Sequence, residues 1–252
     1  MFNEPFTRRD SLIHRLDPRA RLLAALAFAL LLSVCRNPMV CLLGLATALV
    51  LFPLGRLPVR ATVKRLAAIN TFMLMIVLLL PLGIGGEPVW QFGPLCYTRE
   101  GLSRAAVIAI KGNAIVLTYT TLVSTMTPFT LGHALDHLFV PRKLTLLYCL
   151  TVRYVGTMRQ EYDRLRTAMR VRGFTPRTDL HTLRSFGHLV GMLLVRSFER
   201  SERVLAAMKC RGFRGTFWLL EHFHFGRRDL VFTIVAAVLL LAIGCGEWWT
   251  RI

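Results

Sequence analysis

A short motif occurs twice in the polar second half of the chain, and each copy carries an arginine suited to binding carboxylates. The copies are Ala168 to Phe174 (AMRVRGF) and Ala207 to Phe213 (AMKCRGF), and their shared arginines, Arg172 and Arg211, stand 39 positions apart (211 minus 172). An arginine inserted into an acidic groove makes charge-assisted hydrogen bonds worth about 1.5 to 3 kcal/mol each. Two such arginines in matching contexts predict a partner inside the cell with two equivalent acidic sockets.

The same residues also suit an ordinary helix end. Arg172 and Arg211 would offset the negative end of a helix dipole, while Gly173 and Gly212 at the next position would supply the left-handed cap. For one copy alone, capping is the better interpretation. Capping asks only for the basic residue and the glycine, however, whereas the repeat also preserves the apolar residues beside them. The duplication therefore favours a functional role.

A second group of residues has the spacing of metal ligands. His133 and His137 are four residues apart and Asp136 lies beside them, so that a helix could bring two imidazoles to one metal ion. The leucines around them favour an amphipathic surface helix instead, and the sequence offers no evident third ligand. We therefore predict no metal site. An intramembrane metalloenzyme using these three residues is the alternative. Metal analysis of the purified chain would distinguish the two hypotheses, because only the metalloenzyme predicts bound metal.

The sequence carries none of the common catalytic signatures. It contains no GxxxxGK[ST], no GxSxG, no HExxH, and no paired carboxylates within its apolar segments. Its six cysteines form no CxxC pair and read as small apolar packing residues. We predict a chain without catalytic residues, without intrinsic ATP hydrolysis and without a cofactor.

Composition indicates the environment. Hydrophobic residues make up 54% of the 252 residues, the mean hydropathy is +0.50, and the net charge is +18. Long apolar runs combined with an arginine excess predict a membrane protein with a basic cytoplasmic face. Nucleic-acid binders of similar charge interleave aromatic and basic residues, a pattern missing here. We expect the lipid bilayer and no nucleic acid as partner; a membrane-anchored nucleic-acid binder is a third hypothesis, which predicts salt-dependent binding.

Four or five apolar segments are predicted to span the membrane. Asp17 suits a helix N-cap and Pro18 the first helical position, so the first segment begins there. The basic loop Gly55–Arg65 predicts a cytoplasmic N-terminus by the positive-inside rule. Lys111, within the fourth segment, either has a function, snorkels to the membrane surface or faces a neighbouring subunit. The segments are Ala20–Val34, Met39–Leu54, Leu66–Ile84, Thr98–Met126 and Leu230–Gly244.

Between the last two segments the chain is polar or amphipathic, and two long helices are expected there. The first includes Leu144–Met158, which either dips into the bilayer or lies along it, and ends at Gly173. The second runs from about Leu183 to Arg211. Gly187 and Gly191 are four apart, and small residues at that spacing let another helix approach closely. We predict that the two motif-bearing helices cross at these glycines.

Three stretches together resemble the transmembrane T component of energy-coupling-factor importers, in its cobalt/nickel branch of the CbiQ/NikQ type. They are Ser11–Arg19 (SLIHRLDPR), Thr98–Leu102 (TREGL) and the paired Arg-Gly motifs. The resemblance covers essentially the whole chain. It implies an all-α, polytopic membrane protein with an L-shaped arrangement of transmembrane helices and crossed cytoplasmic coupling helices. Four positions of the first stretch match the family motif: His14, Asp17, Pro18 and Arg19.

The resemblance also implies partners. Two Ala-Arg-Gly-like motifs contact a pair of cytoplasmic ATPase subunits, and here they are Val171-Arg172-Gly173 and Cys210-Arg211-Gly212, flanked by Arg170 and Lys209. Both depart from alanine at the first position, which matters little because the arginine carries the charge. A separate substrate-binding membrane subunit of the CbiM type, with or without a small CbiN-type subunit, binds the substrate. Cobalt is expected first and nickel next, with a T component of a vitamin importer as a further alternative.

We therefore expect a non-catalytic coupling subunit in the bacterial cytoplasmic (inner) membrane. Its predicted parts are N-terminal transmembrane helices over 1–126, a cytoplasmic coupling module with the two Arg-Gly motifs over 127–228, and a C-terminal transmembrane helix over 229–252.

Overall fold

The structure, a computed structural model, describes residue 13 and residues 16–83, 88–92, 95–138, 140–215 and 226–249. His14 of the N-terminal motif lies outside the described residues. Contacts divide the chain into two compact units. We call Glu4–Ala134 with Phe223–Ile252 the bundle unit and Leu135–His222 the two-helix unit, and each is described by itself.

The described chain is helical apart from one strand pair. In chain order the elements are α1 Pro18–Val34, α2 Pro38–Leu54, α3 Val59–Gly83, β1 Pro88–Phe92, β2 Leu95–Thr98, α4 Arg99–Leu122, α5 Pro128–Asp136, α6 Arg142–Val171, α7 Leu180–Cys210 and α8 Arg227–Trp249. The expected all-α class is confirmed. The antiparallel pair β1–β2 aligns Gln91 with Cys96. It lies within residues 85–99, a segment whose glycine and proline content predicts an external loop.

The first two helices begin as their sequences predict. The Asp17 carboxylate accepts a hydrogen bond from the Arg19 backbone N–H at 2.9 Å, and Pro18 is the first helical residue. Asn37 caps α2 in the same way, accepting from the Met39 N–H at 2.9 Å. A side-chain oxygen followed by proline thus starts both helices.

Helix lengths differ from the expected spans. Three segments in the described chain are long and apolar enough to cross a membrane: Val59–Leu80, Arg99–Leu122 and Arg227–Trp248. The number falls short of four or five because α1 and α2 have 17 residues each, about 26 Å of helix against a hydrocarbon core of about 30 Å. Much of the basic segment predicted as a loop is instead the start of α3, which begins at Val59.

The core of the bundle unit is formed where α4 packs against α1, α2 and α3, with α8 against α1 and α2. Buried apolar side chains from four helices meet in one cluster. They include Phe28, Leu32, Cys41, Ala48, Ala114, Leu117 and Ile243.

The two-helix unit consists of α6 and α7, of 30 and 31 residues. At 1.5 Å per residue each is about 45 Å long. Leu144–Met158 is part of the continuous helix α6 and not a separate segment. Within the described part of this unit, Leu189 is the one fully buried apolar side chain. The two motif copies lie at the C-terminal ends of these two helices.

Candidate partner-binding site at the two helix ends

The first motif copy closes α6 with a left-handed cap. Gly173 has φ +79°, a conformation that L side chains rarely adopt. Its N–H donates to the Arg170 carbonyl at 2.9 Å, and the Phe174 N–H donates to the Met169 carbonyl at 3.1 Å. These two bonds satisfy carbonyl groups that the helix end would otherwise leave unpaired.

The second copy closes α7 with the same geometry. Gly212 has φ +77°. Its N–H donates to the Lys209 carbonyl at 3.0 Å, and the Phe213 N–H donates to the Met208 carbonyl at 3.0 Å. Sequence identity in the repeat therefore corresponds to identical backbone structure at both helix ends.

This geometry corrects part of the sequence argument. A cap with these paired bonds commonly brings the residue after the glycine against an apolar residue of the last turn. Methionine and phenylalanine hold those two positions in both copies, and all four side chains are half-buried. The flanking apolar residues thus suit this cap, and Phe174 also lies edge-on to Phe186 of α7 with ring centroids 5.8 Å apart, so their repetition does not by itself require a partner, contrary to what the duplication suggested. The side chains of Arg172 and Arg211 take no part in these cap hydrogen bonds.

Arg172 and Arg211 point outward from both caps. Both residues are exposed, and within the described chain neither guanidinium group contacts an acceptor. Val171 and Cys210 before them are exposed as well. Beside Arg172 an open groove of about 570 Å³ runs along the last turns of α6, lined by Asp163, Arg164, Thr167, Ala168, Val171 and Arg172.

The two helices contact each other at equivalent positions of the repeat. The Ser197 hydroxyl, which donates to the Leu193 carbonyl of its own helix at 2.6 Å, contacts the Met158 sulfur at 2.9 Å, across a separation of 39 residues that equals the offset between the two arginines. Each arginine therefore lies 14 residues beyond the contact (172 minus 158, 211 minus 197). Along a helix this is about 21 Å. The two contacting residues therefore have the same offset as the two motif arginines. As a result, both arginines are equally far along their helices from the contact.

An ion pair reinforces this contact. Glu161 of α6 accepts a hydrogen bond from Arg196 of α7 and lies 3.6 Å from Arg164, and its side chain is 12% exposed. The hydrogen bond from Arg196, and then the charges of Arg196, Arg164 and Arg200, hold the pKa of the Glu161 carboxyl below its ordinary value. Glu161 is therefore ionised at neutral pH and joins the two helices.

Gly187 and Gly191 were predicted to be the point where α6 and α7 cross, but α7 does not contact α6 at these glycines. Both glycines are exposed, and a Cβ at either would meet no described atom within 4 Å. Leu189, 5% exposed, marks the inward face of α7. Residues two positions away on a helix lie about 160° round its axis, so the glycines face away from α6.

This outward face of α7 carries large apolar side chains. Leu183 and Phe198 are 70% and 71% exposed, and Val190 and Leu194 are exposed too. Together with the two glycines they form a stripe along the helix, which we call the α7 outer stripe. Such a stripe is typical of a surface that packs against another helix or lipid.

The N-terminal motif builds the start of the bundle unit. The Asp17 N–H donates to the Asp229 carboxylate of α8 at 2.6 Å, and Asp229 also accepts from the Gly226 N–H at 2.9 Å. Arg19 lies 4.0 Å from the Asp17 carboxylate. Asp17, Pro18 and Arg19 thus start α1 and tie it to the start of α8.

Sequence reasoning missed Arg21, which is buried at the end of α4. Its Nε and Nη2 donate to the Leu122 carbonyl at 3.1 and 2.7 Å, and Nη2 also contacts the Thr125 hydroxyl. Arg65 of α3 donates to Ser124 at 2.8 Å in the same turn. The signal was available, because position 21 shares one helix face with the buried positions 25, 28 and 32.

The residues with metal-ligand spacing lie at the end of α5. His133 is half-buried within the helix, while His137 follows its last residue, Asp136, and is exposed. Among the described residues no group of three or more His, Cys, Asp or Glu side chains is placed to hold a metal ion.

Comparison with known proteins places this chain in a family. The sequence model of CbiQ, described as a cobalt transport protein, matches residues 9–220. The energy-coupling factor transporter transmembrane protein EcfT of Brevibacillus brevis is 27% identical over 253 residues, covering 95% of this chain and 94% of the relative. The EcfT proteins of Streptococcus equi (82% of this chain, 81% of the relative) and Bacillus subtilis (81% and 82%) are each 29% identical. This chain therefore belongs to the CbiQ cobalt transport protein family and is a transmembrane T component of energy-coupling-factor transporters.

Proposed function

We propose that this chain is the non-catalytic coupling subunit of an ATP-driven importer of cobalt ions, with nickel as the next candidate. One observation carries the proposal. Arg172 and Arg211 are exposed, occupy the C-cap position of two helix ends with the same geometry, and lie equally far along the chain from the contact between their helices. The capping glycine and the basic residue of the last turn, Arg170 or Lys209, already stabilise each helix end, whereas a partner with two equivalent acidic sockets requires both arginines.

The partner that this arrangement fits is a pair of cytoplasmic ATPase subunits. Each arginine, with Arg170 or Lys209 beside it, would enter an acidic groove of one subunit and make charge-assisted hydrogen bonds. The capping glycines stop each helix at a fixed point and so fix the direction of the arginine. Engaging both ends at once makes the second binding event intramolecular, which raises the overall affinity.

Motion of the ATPase pair would pass through α6 and α7. On ATP-driven closure both helix ends move together, and the helices act as stiff levers about the contact at Met158, Glu161, Arg196 and Ser197. The α7 outer stripe, with Gly187 and Gly191, offers a packing surface for a helix of the substrate-binding membrane subunit. Movement of that surface would tilt the substrate subunit and release the ion inward.

Charge distribution supports a cytoplasmic position for the start of α1 and α8. The bond between Asp17 and Asp229 brings the two helix starts together, and Arg227 and Arg228 lie at one of them. By the positive-inside rule this end is cytoplasmic. On this proposal residues 127–228 are the cytoplasmic coupling module and the residues on either side form the transmembrane part.

The choice of cobalt rests on the family description. A CbiM-type substrate subunit, with or without a CbiN-type subunit, is the corresponding partner. Co-expression of the chain with a CbiM-type, a nickel-binding or a vitamin-binding membrane subunit distinguishes the substrates. We expect stable association with the CbiM type, and preferred association with a vitamin-binding subunit would overturn the cobalt assignment.

The coupling role is tested by co-purification with ATPase subunits. The double variant Arg172→Glu/Arg211→Glu should insert into the membrane as the native chain does and lose the ATPases, because reversed charges repel acidic sockets. Retention of the ATPases by this variant, together with unchanged uptake, would return both arginines to helix capping.

The repeat provides a matched control in Arg164→Glu/Arg203→Glu. These arginines also stand 39 positions apart (203 minus 164) and are exposed, at 75% and 68% of their side chains. Each pairs only locally, with Glu161 at 3.6 Å or Glu199 at 3.8 Å. The control makes the same charge change eight residues before the tips (172 minus 164, 211 minus 203), about two helical turns, so it should keep most of the ATPase binding.

A further inference from the structure

A cavity of about 990 Å³ opens at the turn between α1 and α2. The turn itself forms one wall, Lys111 of α4 a second and Glu247 of α8 a third. The cavity lies at the opposite ends of α1 and α8 from the Asp17–Asp229 bond. All of its lining residues belong to the bundle unit.

Lys111 faces this cavity with most of its hydrogen-bonding capacity unused. Its ammonium group donates to the Ser33 carbonyl at 3.2 Å. An ammonium group has three donors, and the described residues supply an acceptor for one. The intramembrane lysine that the sequence singled out thus reaches the end of α1 and presents its charge to the cavity.

Arg36 provides a second cation. Its backbone N–H and that of Asn37 donate to the two oxygens of the Glu247 carboxylate, at 2.9 and 3.2 Å. The Arg36 guanidinium is exposed, and in the described part of the chain no acceptor contacts it. The cavity therefore holds two cations and one carboxylate, and the carboxylate is occupied by the backbone.

The surroundings of the cavity are apolar and exposed. Val34 and Met39, on either side of the turn, are 66% and 70% exposed, and Trp248 at the end of α8 is 71% exposed. Tryptophan at a helix end is typical of the membrane interface. A ligand for this site would have an anionic group to meet the cations and an apolar part to cover these side chains.

We propose that this cavity binds the phosphate headgroup of an anionic phospholipid, with its acyl chains along the apolar side chains of α1, α2 and α8. Arg36 and Lys111 contact the phosphate oxygens by charge-assisted hydrogen bonds. Glu247 holds the turn to α8 and so fixes the position of Arg36. The bound lipid fills the space beside the short α1–α2 pair on the face opposite the basic helix starts.

Native mass spectrometry of the full chain in mild detergent tests this site, with phosphatidylglycerol and phosphatidylcholine of the same acyl chains as probes. We expect clear preference for phosphatidylglycerol in the native chain. Arg36→Gln and Lys111→Gln should each weaken its binding about fivefold, the factor that about 1 kcal/mol per interfacial cation represents. Binding of phosphatidylcholine should weaken less, because its choline cation offsets the charge of its phosphate.

Arg99→Gln is the matched control, because Arg99 is exposed at the start of α4 and does not line the cavity. Equal loss in this control, or equal affinity for the two lipids, would overturn the site. Displacement of phosphatidylglycerol by millimolar inorganic phosphate would identify a free-anion site and overturn the lipid. If a glutamine variant does not fold, the Tm of the native chain is measured with each lipid instead. The proposal requires phosphatidylglycerol to raise this Tm more than phosphatidylcholine does.

Discussion

The bundle unit and the two-helix unit hold their helices together in different ways. In α4 of the bundle, Ala114, Leu117, Thr118, Thr120, Thr121 and Leu122 are all buried. In α7, which is longer, Thr182 and Leu189 are the buried residues, and large apolar side chains are exposed. The bundle thus builds its own core, whereas the two-helix unit leaves its apolar surface for other molecules to cover.

Threonine explains how α4 can be both polar and central. The hydroxyls of Thr120, Thr121 and Thr125 donate to the carbonyls four residues earlier, at 2.7, 2.8 and 3.0 Å. These three hydroxyls are satisfied within their own segment, whereas the buried Thr118 hydroxyl has no hydrogen-bond partner among the described residues. The small side chains then allow neighbouring helices to approach. No comparable packing joins α6 to α7, where the contacts of Met158 and Glu161 dominate.

Hydrogen exchange should expose this contrast most strongly. In the isolated chain, amides of α7 should exchange at least about a hundredfold faster than those of α4, because local opening of α7 breaks few buried contacts. Adding the ATPase pair and the substrate subunit should slow α7 and leave α4 unchanged. Equal protection of both helices in the isolated chain would contradict the comparison.

Removing Arg21 should weaken the bundle by the next largest amount. Arg21→Met keeps the apolar volume but leaves the Leu122 carbonyl and the Thr125 hydroxyl without this donor. Hydrogen bonds to charged groups contribute about 1.5 to 3 kcal/mol each, so we expect a loss of about 3 kcal/mol in unfolding free energy. Denaturant unfolding in detergent measures it. Lys64→Met, at an exposed position of α3, should change stability little.

The glycines of the α7 outer stripe should respond in opposite ways in two assays. Gly187→Ala/Gly191→Ala should raise the stability of the isolated chain by about 1 to 2 kcal/mol, because alanine is the better helix former and space is open at both positions. The same change should reduce association with the substrate subunit by blocking close helix approach. Stabilisation with unchanged association would mean that lipid, and not a partner helix, covers this face.

The smallest expected effect concerns the contact between α6 and α7. Because the folded pKa of Glu161 is lowered, its stabilisation is fully present above its ordinary value of 4.5 and is lost as the pH falls through the folded pKa. Glu161→Gln should therefore lower Tm slightly at pH 7 and make no difference at strongly acidic pH. Glu202→Gln, on an exposed position of α7, is the control. A pH-independent effect would contradict the ion pair.

Local signals predicted helix starts and ends well. Asp17, Pro18 and the two capping glycines each fix backbone geometry through their own side chain or its absence, so neighbouring residues suffice to recognise them. The amphipathic pattern also identified α6 and α7. Strand pairing at β1–β2 depends on contacts between two short segments, and the Gly/Pro-rich composition there predicted only a loop.

Contacts between residues far apart in the chain could not be predicted from the sequence. Two glycines four apart mark a face that permits close packing, but they do not say whether α6 or another molecule occupies it. The contact of Ser197 with Met158 repeats the motif offset of 39, yet the sequence alone ranks it no higher than other pairs at that offset. Arg21 was missed because an arginine in an apolar run suggests the membrane surface before it suggests a buried hydrogen bond to a helix end.

The most direct test of the coupling role is a titration of the ATPase pair onto the chain in lipid nanodiscs. Native chain, Arg172→Glu, Arg211→Glu and the double variant would be compared. Equivalent ends predict that the two single variants lose affinity to a similar extent, roughly tenfold or more, and that the double variant shows no binding. Native affinity in one single variant, or measurable binding by the double variant, would contradict the account.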